Sequence, residues 1–321
     1  MAVNLEVIMK FIQHVIPVLF ASVALQCFAG EKIDQSLPAN NANNVSIENL
    51  RGEVSIVGWD KSEVKVTGEL DEQAERLIFE QQGSHIIIKV VVPRRRGNNW
   101  NNEGSDLTIN IPKDLRVNFN GVSSDVIVEN FTKNVEVKTV SGDIEAKQLS
   151  ERIELVTVSG SIKSRDLSGN IRLSTVSGDI NDKNSTGKIR LKVVSGDIHT
   201  TSSATEVYVN NVSGSVEFSL AEVDELVASS VSGDIEGILS LNDSGFVKLS
   251  SVSGDMEIGF QSDVSASFKM NANAGGDLIN KLTSDKAQRA KYGPSSKLNF
   301  QSGNGNGSVR ASTVSGTIIV K

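Results

Sequence analysis

The phrase Val-Ser-Gly-Asp-Ile, or a near variant, starts at Val122, Val140, Val158, Val176, Val194, Val212, Val231, Val252 and Val314. The first five intervals are equal, at 18 each; the next two are 19 and 21, and the last is 62. A fixed short period means one supersecondary unit that is too small to bury its own apolar face and must stack on copies of itself. Superposing the copies shows which face that is. Four residues after each Val stand Val126, Ile144, Ile162, Ile180, Ile198, Val216, Ile235, Met256 and Ile318. Five and three residues before it stand pairs such as Ile153 and Leu155, Ile171 and Leu173, and Ile189 and Leu191. Alternation with period two and β-branched residues predicts one strand on each side of a bend at Ser-Gly.

The fold expected from this pattern is all-β, a parallel β-solenoid with coils of about 18 residues and irregular caps at both ends. Glycine suits the corner because it takes positive φ and lets neighbouring backbones approach. A second turn is marked by stretches such as Leu167-Ser168-Gly169-Asn170 and Asn184-Ser185-Thr186-Gly187. Stacking also predicts ladders of Thr139, Thr157 and Thr175, and of Ser141, Ser159, Ser177, Ser195 and Ser213, whose hydroxyls bond along the ladder. Aromatic residues are only 5% of the chain, which suits thin coils better than a thick globular core.

The expected organisation has four parts. Residues 1–29 read as a secretory signal: Lys10 precedes an apolar run from Phe11 to Ala29, and Met9 is an alternative start. Residues 30–120 form an N-terminal β region and cap, 121–261 the regular coils, and 262–321 the irregular C-terminal coils and cap. Within the last part, Ser284 to Lys291 is expected to make one or two helical turns ahead of a Gly/Asn-rich loop at 303–307. Cys27, the only cysteine, lies in the signal, so the exported chain would hold neither disulfide nor thiol nucleophile. The expected address is the periplasm, cell surface or medium, with membrane contact only through an uncleaved signal. The net charge of −7 argues against nucleic acid as a partner.

The run Thr139-Val140-Ser141-Gly142-Asp143-Ile144 and its copies follow a segment Glu75-Arg76-Leu77-Ile78-Phe79 and a strand Leu107-Thr108-Ile109-Asn110-Ile111-Pro112. Together these resemble the large bacterial family of exported adhesin-like domains of unknown function, over about Val45 to Lys321. The resemblance implies a β-solenoid in the cell envelope and brings no catalytic residues. Ser124 in place of Gly, and Ser161 and Ser215 in place of Asp, depart from the pattern.

Two sets of residues are candidates for binding. Asp143, Asp179 and Asp197 would stack as neighbouring carboxylates, the arrangement of a Ca²⁺ or sugar edge. The competing reading, which we favour, is the preference of Asp for a turn beside Gly. Arg94, Arg95, Arg96 and Trp100 make one basic loop with an aromatic, suited to an anionic glycan or lipid headgroup, or simply a solvated connection. Histidines are too sparse for a metal cluster, and the central coils are nearly loop-free, whereas an enzyme on such a scaffold gathers catalytic groups on long loops. The expected function is therefore non-catalytic and cofactor-free: an envelope scaffold or adhesin-like module whose partner is a glycan, a surface polymer or an envelope protein. The alternative is a polysaccharide-processing enzyme on the same scaffold.

Overall fold

The computed structural model describes residues 30–93 and 104–321, and every regular element among them is a β-strand. The expected signal, with Met9 and Cys27, lies outside the described residues. Through the centre of the chain each strand pairs in parallel with the equivalent strand one period away, and the register on both sides of the Gly corner is kept even where it shifts at the second turn, between Lys183 and Lys188. Ile144 faces Ile162 and Ile162 faces Ile180, while Ile153 faces Ile171 and Ile171 faces Ile189. Like therefore sits on like, and the apolar columns are sealed: Ile162, Ile171, Ile180, Ile189 and Ile198 are fully buried. The two longer intervals are absorbed away from the Gly corner. Register shifts fall between Ser202 and Glu206 and between Ser219 and Glu225, while Ser213, Ser232 and Ser253 remain paired.

The Gly corner has its own hydrogen-bond logic, repeated coil after coil. The Ser N–H of each coil donates to the Val carbonyl of the coil before it (Ser159 to Val140, 2.8 Å), and the Gly N–H donates forward to a Ser carbonyl (Gly160 to Ser177, 2.9 Å). The Asp N–H then points back at a coil that offers it no carbonyl. It is received by a side chain: Asp143 N donates to Asp125 Oδ1 (2.8 Å), Ser161 N to Asp143 Oδ1 (2.7 Å), Asp197 N to Asp179 Oδ1 (2.9 Å) and Ser215 N to Asp197 Oδ1 (2.7 Å). Where Ser161 replaces Asp, its Oγ accepts Asp179 N at 3.2 Å. The Gly carbonyl is satisfied from the other direction, by the Thr hydroxyl of the next coil: Thr157 to Gly142 (3.1 Å) and Thr175 to Gly160 (2.9 Å). The threonine ladder thus bonds to backbone carbonyls, not hydroxyl to hydroxyl as the stacking had suggested.

Glycine is required here on two independent grounds. Gly178 sits at φ +137°, and a Cβ on it would lie 2.1 Å from the Gly160 carbonyl oxygen. Gly160, Gly196 and Gly214 repeat both conditions, each against the Gly of the preceding coil.

At both ends the order of strands in space departs from their order in the chain. Asn44–Trp59 makes a full coil on Arg116–Phe131, with Val45 facing Val117 and Val54 facing Val126. Its other side is covered by His85–Val91 and Ser105–Pro112. Antiparallel strands then finish the edge: Arg76–Gln82 on His85–Val91, and Glu63–Glu69 followed by Lys32–Pro38 on Ser105–Pro112. A buried ion pair ties this cap, Arg51 Nε and Nη2 donating to Asp71 at 2.5 and 2.8 Å. Burial pushes the Asp71 carboxyl up, but the Arg51 bonds and the Gln73 N–H outweigh it and hold it below the usual carboxylate value.

At the other end, Gly307–Ser315 and Ile318–Val320 slot between the last regular coil and Ala266–Ala272 with Leu278–Asn280. The interval of 62 is therefore no break in the stack, since Ser315 pairs directly with Ser253. Ser296–Ser302 closes this end antiparallel to Ala266–Ala272, where Phe268 stacks on Phe300 (4.4 Å) and meets Phe260 edge-on (5.8 Å). The helical turns expected over 284–291 are not formed. That stretch is exposed, and only Gln288–Arg289 is regular, as a two-residue strand. So short a stretch, with no apolar face, cannot repay helix nucleation.

One buried column changes character along the stack, running Ala146, Ser164, Asp182, Thr200. The Asp182 carboxylate is buried and accepts hydroxyls from Ser185 (2.5 Å), Ser164 (2.6 Å) and Thr200 (3.1 Å). Burial raises its pKa, and the three hydroxyls only partly oppose that.

Two predictions test this architecture. Asp179→Ala leaves the Asp197 amide without an acceptor and should lower the unfolding free energy by about 1 kcal/mol in chemical denaturation. Asp179→Asn, which keeps the acceptor, should cost less than half of that, and Gly178→Ala should cost more than either; equal effects of Ala and Asn would contradict the assignment. For Asp182 the folded pKa lies above the unfolded one, so its contribution is most favourable below about pH 4 and is lost as pH rises through the folded value. Asp182→Asn keeps the hydroxyl contacts without the charge. It should be more stable than the parent at pH 7, with the gap closing towards pH 4, as read by melting temperature across that range.

Candidate functional site

Of the sequence candidates, Arg94, Arg95, Arg96 and Trp100 lie outside the described residues. Asp143, Asp179 and Asp197 do form one column at the corner, as the period required, but each has an Oδ1 committed to an amide of the next coil. They act as fixed acceptors for backbone N–H groups. The turn preference read from sequence named the right place without the reason. Among the described residues no group of three or more His, Cys, Asp or Glu is arranged to hold a metal ion. His199 points outward as its alternation predicts, with Nδ1 2.9 Å from Glu217 Oε2.

The structure brings together other groups that the repeat had hidden. On the sheet after the corner, Lys147, Arg165 and Lys183 stand in register on successive coils, with Lys163 in the adjoining outward column. They line a shallow groove of about 340 Å³. Farther along the same face Glu217, Glu236 and Glu257 stand in register and line a second groove of about 300 Å³ with His199 and Ile238. The segregation is written in the sequence: residues 144–195 hold nine Lys and Arg against six Asp and Glu, whereas 196–260 hold one against eleven. Only superposition in the third dimension turns these counts into ladders on one face.

The sheet before the corner carries a different cluster. Tyr208 stands outward between Arg190 and Val227 of the neighbouring coils. Its hydroxyl donates to Glu225 (2.6 Å) and lies 3.3 Å from Glu206. The Lys188 ammonium and the Arg190 guanidinium each lie 5.0 Å from the ring centroid, and Lys188 is ion-paired to Glu206. The bond to Glu225, then burial, raise the phenol pKa, so Tyr208 stays protonated and fixed as a donor. Sequence reasoning missed this cluster because its members come from three successive coils and are scattered along the chain. The signal available was Tyr208 itself, one of two tyrosines in the chain.

The corner valines form a further line. Val140 is 50% exposed and Val158 42%, and the series continues through Val176, Val212, Val231, Val252 and Val314. These residues open each phrase yet lie outside the core.

No curated protein matches the chain. Two solved structures that resemble it are a "putative cell adhesion protein" from Clostridium sporogenes and a "putative lipid binding protein" from Parabacteroides distasonis. The first is 12% identical, covering 91% of this chain and 99% of that one, with a TM-score of 0.22. The second is 14% identical, covering 72% and 91%, with a TM-score of 0.33. A family match spans residues 42–244, well over half of the sequence and including the phrases that start at Val122 to Val231. The chain belongs to the Toastrack DUF4097 family.

Proposed function

We propose that the protein is an exported, non-catalytic β-solenoid rod that works as an adhesin-like or scaffold module of the cell envelope. Its sheet faces bind a glycan or another surface polymer. The observation that carries this reading is the Tyr208 cluster: a protonated phenol, an ammonium, a guanidinium and two carboxylates held on a rigid sheet by ladder hydrogen bonds. Such a set of fixed donors and acceptors matches the hydroxyls and charged substituents of a polysaccharide, and a face that repeats coil by coil suits a ligand that also repeats. The corner carboxylates support the same reading, because their role is to hold the coils together. Belonging to a family known only as a domain of unknown function is compatible with it.

The test is a glycan and cell-wall-polymer array probed with the chain from residue 30 onward, alongside Tyr208→Ala and Arg190→Ala. Binding by the parent should fall about tenfold in each variant, the loss of roughly one charge-assisted hydrogen bond, with both variants still folded by circular dichroism. Release of new reducing ends from a bound polysaccharide would replace this reading with the enzymatic one.

A further inference from the structure

The charge pattern on the sheet after the corner is complementary to itself. Lys163, Arg165 and Lys183 have no ion-pair partner among the described residues, and Lys147 is paired only with its neighbour Glu145. On the same face Glu236 likewise makes no ion pair, Glu217 meets only His199, and Glu257 meets only Lys321. Lys147, Arg165 and Lys183 stack like charges about 4.8 Å apart on adjacent coils, as do Glu217, Glu236 and Glu257, while Lys163 stands between Glu145 and Asn181; each ladder keeps repulsion inside one molecule. The two sets lie along one axis, with His199 and Thr201 midway between the Lys163 coil and the Glu236 coil.

We propose that two copies of the chain associate through this face, antiparallel, about a two-fold axis passing at His199. That operation sets Lys163 of one copy against Glu236 of the other, Lys183 and Asn181 near Glu217, and the Lys147–Glu145 pair near Glu257, and by symmetry repeats each pairing; the coils carrying Lys163, Arg165 and Lys183 supply the excess of positive charge. A parallel arrangement would place lysine on lysine and glutamate on glutamate, so the charges select one orientation. A different protein would need its own matching bipolar strip, whereas a second copy carries it by construction. Both grooves lie on this face, giving the opposing side chains room to seat. The strip is about 30 Å long over seven coils and one short strand wide, which puts the dimer in the small, weak class and makes it dependent on ionic strength. This association uses the strands after the corner, not those before it that carry Tyr208, and does not depend on the polymer-binding reading.

The experiment is analytical ultracentrifugation of the chain from residue 30 onward at about 0.01 M and about 1 M ionic strength, where the screening length is about 30 Å and about 3 Å. The parent should be dimeric at the low value and monomeric at the high one. One variant carries Lys163→Glu, Arg165→Glu and Lys183→Glu; the other carries Glu217→Lys, Glu236→Lys and Glu257→Lys. Each should be monomeric alone at low salt, and an equimolar mixture should form a dimer of one of each. A parent that stays monomeric at low ionic strength overturns the proposal, as does association that survives either set of reversals, or folded variants that fail to pair when mixed. The positions face solvent, and melting curves of both variants report whether they fold. Should either unfold, the salt response of the parent decides alone.

Discussion

Stacking identical coils leaves one amide per turn without a backbone partner, and the structure rests on how that amide is satisfied. The corner needs glycine so that successive coils can come within van der Waals distance, and the positive φ that glycine allows turns the following N–H back towards a coil with no free carbonyl. A buried or half-buried N–H left in that state would cost about 1–3 kcal/mol at every turn. The Asp or Ser that follows removes the cost by accepting the amide of its successor, and Thr closes the matching carbonyl from the next coil. The phrase Thr-Val-Ser-Gly-Asp-Ile is thus one mechanical unit. Thr and Asp satisfy the backbone, Gly permits the approach, Ser and Val continue the ladder, and Ile enters the core.

Once the corner holds the coils in register, everything on the surface follows from superposition. Side chains one period apart become neighbours, so a sequence in which basic and acidic residues merely drift apart acquires a basic ladder and an acidic ladder on a single face. The same superposition assembles Lys188, Arg190, Glu206, Tyr208 and Glu225 from three turns. Both surfaces stand on a rigid sheet, which keeps the entropic cost of binding low for either a polymer or a second copy.

The apolar columns were legible in the sequence because alternation within a strand and the longer repeat between coils both act on hydrophobicity, and the residues from Val126 to Ile318 carry both signals. The role of Asp143, Asp179 and Asp197 was not legible, since a turn preference says nothing about which coil an amide faces. The ends were read least well. The strand Gly307–Ser315 is inserted beside a coil that lies far earlier in the chain, and no local periodicity records such a return. The segment Ser284 to Lys291 is rich in helix formers, yet it lacks an apolar face to pack and is regular only at Gln288–Arg289. The charged faces were visible only as counts until the register was known.

Amide hydrogen exchange at the corner isolates the Asp carboxylate as acceptor. The Asp197 N–H has no backbone acceptor, so its protection in the parent must come from the Asp179 carboxylate. Exchange there should be slow, comparable to that of the adjacent Ile198 amide, and should become faster at Asp197 alone when Asp179 is replaced by Ala. Exchange of the parent Asp197 amide at the rate of an open loop would contradict that role of the carboxylate.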